Sequence, residues 1–256
     1  MLTKLKTLFW YTKNPKLLPD ILFKIKTKLF NNRRERTHNE ALIWSQKVCQ
    51  TPEEAFMKLF PGKKIYNLEK LFPKEYAYAI KQQQESPIKM GGPGCINLLY
   101  SICEAMNVKS AIETGVAYGW SSLAILLSLH NRAPGNLVSI DMPYPKMDNE
   151  NFVGIVISPY LKEKWNLIRE SDYTGLPKAL NLFKEIDFCH YDSDKSYSGR
   201  MRSMKLIWNK LKKGGIFISD DISDNLGFKD FCEIKNIEPT VIAWNNKHIG
   251  IIIKNE

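Results

Sequence analysis

The stretch SAIETGVAYGWSS, residues 110–122, decides the fold. Its first half is short and apolar, which reads as a buried strand, and the run from Trp120 (WSSLAILLSL) reads as a helix. Between them, Gly115 and Gly119 let backbone N–H groups come close to a ligand, and the opening helix adds partial positive charge. A ligand carboxylate is favoured at such a turn. A lone G-x-x-x-G also occurs in turns that are merely tight, so its weight comes from the chain around it.

Downstream, strand and helix alternate with short connections. Strands are expected at 110–116, 136–142, 165–171, 186–192 and 215–221, and helical stretches at 94–106, 119–130, 174–184 and 197–212. Such alternation builds a parallel sheet covered by helices on both faces. The end differs: 239–245 (PTVIAWN) and 248–254 (HIGIIIK) are apolar runs separated by Asn246-Lys247, a hairpin that should bring the last strand in antiparallel. The expected class is therefore α/β, a Rossmann-like sheet of five parallel strands followed by a C-terminal hairpin.

Upstream, 17–30 places Leu18, Ile21, Leu22, Ile25 and Leu29 at helical spacing with Lys24 and Lys28 off that stripe, followed by a polar break at 31–36. Residues 40–60 read as helical, with Thr51-Pro52-Glu53-Glu54 as a helix start, and Glu75 to Gln84 reads as a further helix. Three segments are expected: a basic extension over 1–36, a helical, substrate-side segment over 37–93, and a cofactor-binding domain over 94–256.

The net charge of +10 is concentrated at one end. Residues 1–36 hold ten Lys/Arg against two acids, a net of +8. The body is thus nearly neutral, which weakens a nucleic-acid reading, since such a domain should carry its own basic face. Two readings stand for the extension. It can lie on the inner surface of a membrane, stripe down, or pack its stripe on the body or on a second subunit of a homo-oligomer. The second is the commoner fate of amphipathic surface helices. Five cysteines without C-x-x-C spacing suggest free thiols rather than zinc or disulfides, and no secretory signal or membrane-spanning run is read, so a cytoplasmic setting is expected.

Chemistry gathers at the strand ends. Asp141 ends the second strand, 26 residues beyond Gly115, where Rossmann-type sites place an acid for ribose hydroxyls; capping the turn beside Pro143 is the alternative. Ser171-Asp172 follows the third strand, where an adenine contact would fall. The fourth ends in His190-Tyr191-Asp192-Ser193-Asp194-Lys195 and the fifth in Ser219-Asp220-Asp221. Neighbouring parallel strands deliver these ends to one edge, so Asp192, Asp220 and Asp221 can converge. Three adjacent carboxylates repel unless a cation sits among them, and oxygen-only ligands select a hard ion such as Mg²⁺. The plainer alternative is that Asp220 or Asp221 caps the next helix and Asp194 is solvated.

Met90-Gly91-Gly92, ETGVAYGWSS, NLVSIDMP, IDFCHYDSDKSY and GGIFISDD together resemble a family of bacterial class I methyltransferases, over roughly 90–256. That family is in turn similar to metal-dependent O-methyltransferases of catechols, caffeoyl thioesters and macrolide sugars. The resemblance implies that Glu113, Gly115, Ser121 (within the same motif), Gly119 and Asp141 bind S-adenosylmethionine, and that Asp192, Asp220 and Asp221 hold the metal. Two positions depart from the pattern. Tyr191 stands where the family has His before the first Asp, and Lys195 where it has His after D-S-D; the latter matches the D-x-D-K pattern of the caffeoyl-thioester type, in which Lys is the proposed base.

The expected reaction is in-line methyl transfer to an oxygen of a small hydroxylated acceptor, a sugar or a catechol-like ring. Mg²⁺ would acidify the attacked hydroxyl, and Lys195 beside Asp192 would take its proton if burial lowers the lysine. Substrate choice would fall to 37–93 and 143–163, where Tyr144, Lys146, Phe152 and Tyr160 lie. A nucleic-acid methyltransferase would show Asn/Asp-Pro-Pro-aromatic after the fourth strand, where HYDSDK stands instead. A dehydrogenase would show G-x-G-x-x-G. A non-catalytic, S-adenosylmethionine-binding or membrane-associated protein is the remaining alternative.

Overall fold

Strands apolar on both faces must be covered from both sides, and this chain supplies helices for each. The computed structural model describes residues 9–30, 34–145 and 147–255. Lys4, Lys6 and Arg33 of the basic extension, residues 31–33 of its polar break, and Lys146 lie outside the described residues. Before the first glycine turn come α1 (Leu18–Phe30), α2 (His38–Val48), β1 (Cys49–Gln50), α3 (Pro52–Leu59), α4 (Leu68–Leu71), α5 (Pro73–Glu85) and α6 (Ile96–Met106). The alternating part follows: β2 (Ser110–Thr114), α7 (Trp120–Leu129), β3 (Asn136–Ile140), β4 (Trp165–Ile168), α8 (Asp172–Asn181), β5 (Ile186–Tyr191), α9 (Tyr197–Lys210), β6 (Leu211–Ser219), α10 (Gly227–Lys235), β7 (Thr240–Trp244) and β8 (Lys247–Ile253).

The strands form one sheet in the order β1-β7-β8-β6-β5-β2-β3-β4. β8 runs antiparallel to both β6 and β7, and the other pairings are parallel. The five-strand alternation and the antiparallel last strand are therefore as expected. β5 lies in mid-sheet and is buried throughout, its successive side chains alternating between two cores: Phe188 packs with α6 and α7, Cys189 with α8 and α9.

Three expectations need correcting. Residues 40–60 are two helices broken by β1, which pairs Cys49 with Val241 and Gln50 with Ile242 at the sheet edge. Two residues carry no periodicity, so only the partner strand creates this element. α8 begins at Asp172 and ends at Asn181, earlier than 174–184, because Ser171 in extended geometry starts the helix. α1 packs on α8, with the Phe23 and Tyr173 rings 5.0 Å apart, but of its apolar stripe only Ile21 is half-buried. Asp20 is buried instead, while Leu18, Leu22, Ile25 and Leu29 are exposed. Among the described residues no helix is long and apolar enough to cross a membrane. Cys95, Cys103, Cys189 and Cys232 are buried free thiols and Cys49 is half-buried.

Candidate active site

From β2 the chain builds outward to β3 and β4, then returns across the sheet to β5, so the β2/β5 boundary is the switch point where α/β sheets open a crevice. A cavity of about 790 Å³ opens there, walled by the turn after β2, the loop after β5, the end of β6, and residues 89–95. Ligand sites of small molecules have this size.

The turn after β2 is shaped by its glycines. Gly115 has φ +82°, and a Cβ on it would lie 2.2 Å from the Asp192 carbonyl oxygen. Gly119, with φ +94°, would strike Gly154 Cα at 2.9 Å. Only glycine permits both the backbone conformation and the approach. Asp141 holds this turn: its Oδ2 accepts from the Val116 and Ala117 N–H groups at 2.6 and 3.0 Å. Its Oδ1 accepts from Arg169 Nη1 at 2.5 Å, and Arg169 also pairs with Glu150 at 2.8 Å. Asp141 thus does cap a turn, though the glycine turn rather than the one at Pro143, and it lines the cavity as well.

Gly115, Ser121, Asp141, Asp192, Lys195, Asp220 and Asp221 all wall this one space. Four expected cofactor contacts do not. Glu113 is fully buried beneath the turn, accepting hydrogen bonds from Ser122 and Ser139. Gly119 shapes the turn from behind. Ser171 is buried at the start of α8, and Asp172 accepts from Ser193 Oγ and the Asp194 N–H. Burial pushes the Asp172 carboxyl up to about 6.

The carboxylates are not free to gather round an ion. Lys195 Nζ lies between Asp192, with which it pairs closely, and Asp221 Oδ2 at 2.8 Å; Lys247 pairs with Asp221 at 3.0 Å. Asp220 Oδ1 faces His190 Nε2 at 3.5 Å. Among the described residues no three His, Cys, Asp or Glu side chains come together as a metal-holding group. With Lys195 and Lys247 on Asp192 and Asp221, and His190 facing Asp220, the three side chains as arranged do not form the donor set expected for Mg²⁺. Asp194 is not merely solvated, for its Oδ1 accepts from the Ser196 N–H at 2.9 Å at the start of α9.

The same pairs reverse the expectation for Lys195. Burial disfavours its charge, but Asp192 and Asp221 outweigh that and raise it above the ordinary lysine range. Asp192 moves upward too, through burial and the charge of Asp220, against the pull of Lys195 and His190. Asp221 is lowered despite burial by its two lysines. Burial alone would keep His190 neutral, yet Asp220 and Glu113 (Oε1 3.7 Å from Nδ1) push it up to about 10.

Arg169 and Arg200 escaped the sequence reading. Arg169 had a signal, a charge one residue beyond a strand end. Arg200 had none: it lies in a polar helix yet is fully buried, donating to Ser219 Oγ at 2.5 Å and to the Asp220 and Asp221 carbonyls at 3.0 and 3.1 Å. Asn149, buried in the cavity wall beside Met90, was also missed.

Residues 112–222 match a family model described as a methyltransferase domain. Over that span the chain is similar to a methyltransferase domain. Its fold is shared by solved structures of low identity. An O-methyltransferase from Bacillus cereus, in complex with SAH, is 13% identical with a TM-score of 0.53, the match covering 82% of this chain and 100% of that one. An SAH-bound methyltransferase from Podospora anserina is 14% identical with a TM-score of 0.53, covering 85% and 95%. No curated protein matches. The matched span of the methyltransferase domain starts in β2 and ends just past Asp221, so it contains the glycine turn and all three strand-end aspartates.

Proposed function

We propose that the cavity binds S-adenosylmethionine against the Gly115 turn and transfers its methyl group to a hydroxyl oxygen of a small acceptor. One observation carries this reading: the glycine turn and the Asp192–Lys195–Asp221 cluster wall one cavity at the switch point of a methyltransferase sheet. In this reading the backbone at Val116 and Ala117 receives the cofactor, and Asp141 in the same cavity wall accepts from its ribose hydroxyls. The SAH held by the two solved relatives supports a cofactor of this kind.

The residues present divide the chemistry differently from the expected lysine base. Asp192, with its proton affinity raised, accepts the proton of the acceptor hydroxyl. Lys195 stays an ammonium and stabilises the developing oxyanion. The remaining contribution is positioning of donor and acceptor near attack distance. Tyr144 and Trp244 in the cavity wall suit a sugar or an aromatic ring.

Calorimetric titration with S-adenosylmethionine tests the cofactor, and absence of binding overturns the reading. A screen of diols, sugars and catechols with and without EDTA tests the chemistry. Turnover is expected to survive EDTA; turnover that returns only with added Mg²⁺ would show that Lys195 yields its aspartates to a metal.

A further inference from the structure

α1 is amphipathic, and it is mounted the wrong way round for a helix that ends its life on the protein body. At 100° per residue, Leu18, Leu22, Ile25 and Leu29 fall within an arc of about 60°. They are 39%, 64%, 49% and 73% exposed. The opposite side carries Asp20, Phe23, Lys24 and Thr27, and this side turns inward, with Phe23 against Tyr173 and Lys24 half-exposed. Asp20 is 2% exposed and pairs with Lys24 at 3.0 Å, where burial raises its carboxyl. A helix stabilised only by its own domain would bury the aliphatic side and leave the ion pair in water, because burial of a charge costs more than burial of a methylene. The inversion makes sense when a second apolar phase covers the stripe.

The charge around the stripe names that phase. Lys13, Lys16, Lys26 and Arg36 are exposed, Phe9 beside them is exposed, and the wider segment 1–36 carries +8 of the chain's +10. A nucleic acid would use the cations but leave the aliphatic row without a partner. A second copy would meet the same positive segment and be repelled. An anionic lipid surface satisfies both: aliphatic side chains enter the acyl boundary while lysines meet the headgroups. We infer that α1 is a peripheral membrane-docking helix for anionic bilayers, fixed to the body by the side that holds Asp20 and Phe23. Its inner face lies close enough to the loop after β5 for Asp194 to act electrostatically on both Asp20 and Lys24. Docking would therefore hold the cavity rim near the bilayer.

The full chain should float with vesicles of phosphatidylcholine and phosphatidylglycerol at low salt, and at least about tenfold less with phosphatidylcholine alone or at high salt. The exposed-side variant Leu22→Ser, Ile25→Ser, Leu29→Ser should lose at least about tenfold in vesicle affinity while keeping its melting temperature and its binding of S-adenosylmethionine. Failure of the wild type to bind anionic vesicles at low salt overturns the inference, as does full binding by the triple variant. Sedimentation equilibrium provides the other arm. A wild-type dimer that the triple variant converts to monomer would give the stripe to a second copy and equally overturn it.

Discussion

Gly115 and Asp141 are two halves of one device, since the first allows the turn and the second holds it. Gly115→Val would drive a side chain into the Asp192 carbonyl, and the turn must then move from the position in which the proposed cofactor site is built. S-adenosylmethionine affinity should fall at least about tenfold, which corresponds to about 1.4 kcal/mol. Asp141→Ala should do more, because it also strands the Val116 N–H and leaves Arg169 without its buried partner. We expect both weaker cofactor binding and a loss of about 2–4 kcal/mol in urea unfolding. Calorimetry together with urea midpoints separates the two effects. An Asp141→Ala protein of unchanged stability would remove its turn-holding role, and unchanged affinity would remove the ribose role.

At the scale of elements, the end of β6 depends on α9. Asp221 adopts φ +52°, a left-handed conformation uncommon outside glycine, and the fully buried Arg200 fork gathers the carbonyls of Asp220 and Asp221 to hold it. Lysine keeps the charge but not the fork. Arg200→Lys should therefore lower stability by about 1–3 kcal/mol and reduce turnover more than cofactor binding, since the displaced segment carries Asp220 and Asp221 rather than the glycine turn. Single-turnover rates beside calorimetry check this; equal losses in both would make Arg200 a stabiliser of the fold alone. The sequence shows a helix over 197–212 but carries no signal for Arg200, because helical periodicity does not say what stands behind a polar residue.

For the whole molecule, the buried imidazole of His190 links sheet stability to pH. Its folded-state affinity for a proton is raised, to about 10 from an ordinary 6.5. The stabilisation is then complete below the unfolded value and disappears as pH rises through the folded one. Wild type should exceed His190→Gln by about 2–4 kcal/mol near pH 6, and the gap should narrow steadily towards pH 10. Urea unfolding of both proteins at three pH values measures it. A gap independent of pH would mean that His190 is held neutral and serves only packing.

The sequence alone determined the strand-helix alternation, the terminal hairpin and the edge at which Gly115, Asp141, Asp192, Lys195, Asp220 and Asp221 meet. Each follows from local signals: apolar period, glycine turns, and the rule that parallel strands end on one side. Tertiary structure decided what those signals do not contain. Whether Lys195 is a base depends on two carboxylates brought from separate strand ends, and their charge outweighs the burial that would have lowered it. Whether three aspartates hold a metal depends on where Lys195 and Lys247 reach. Which side of α1 faces the body depends on Asp20 and Tyr173 rather than on the aliphatic stripe. Periodicity reports that a helix has two faces; only the packed neighbours determine which one is turned to water.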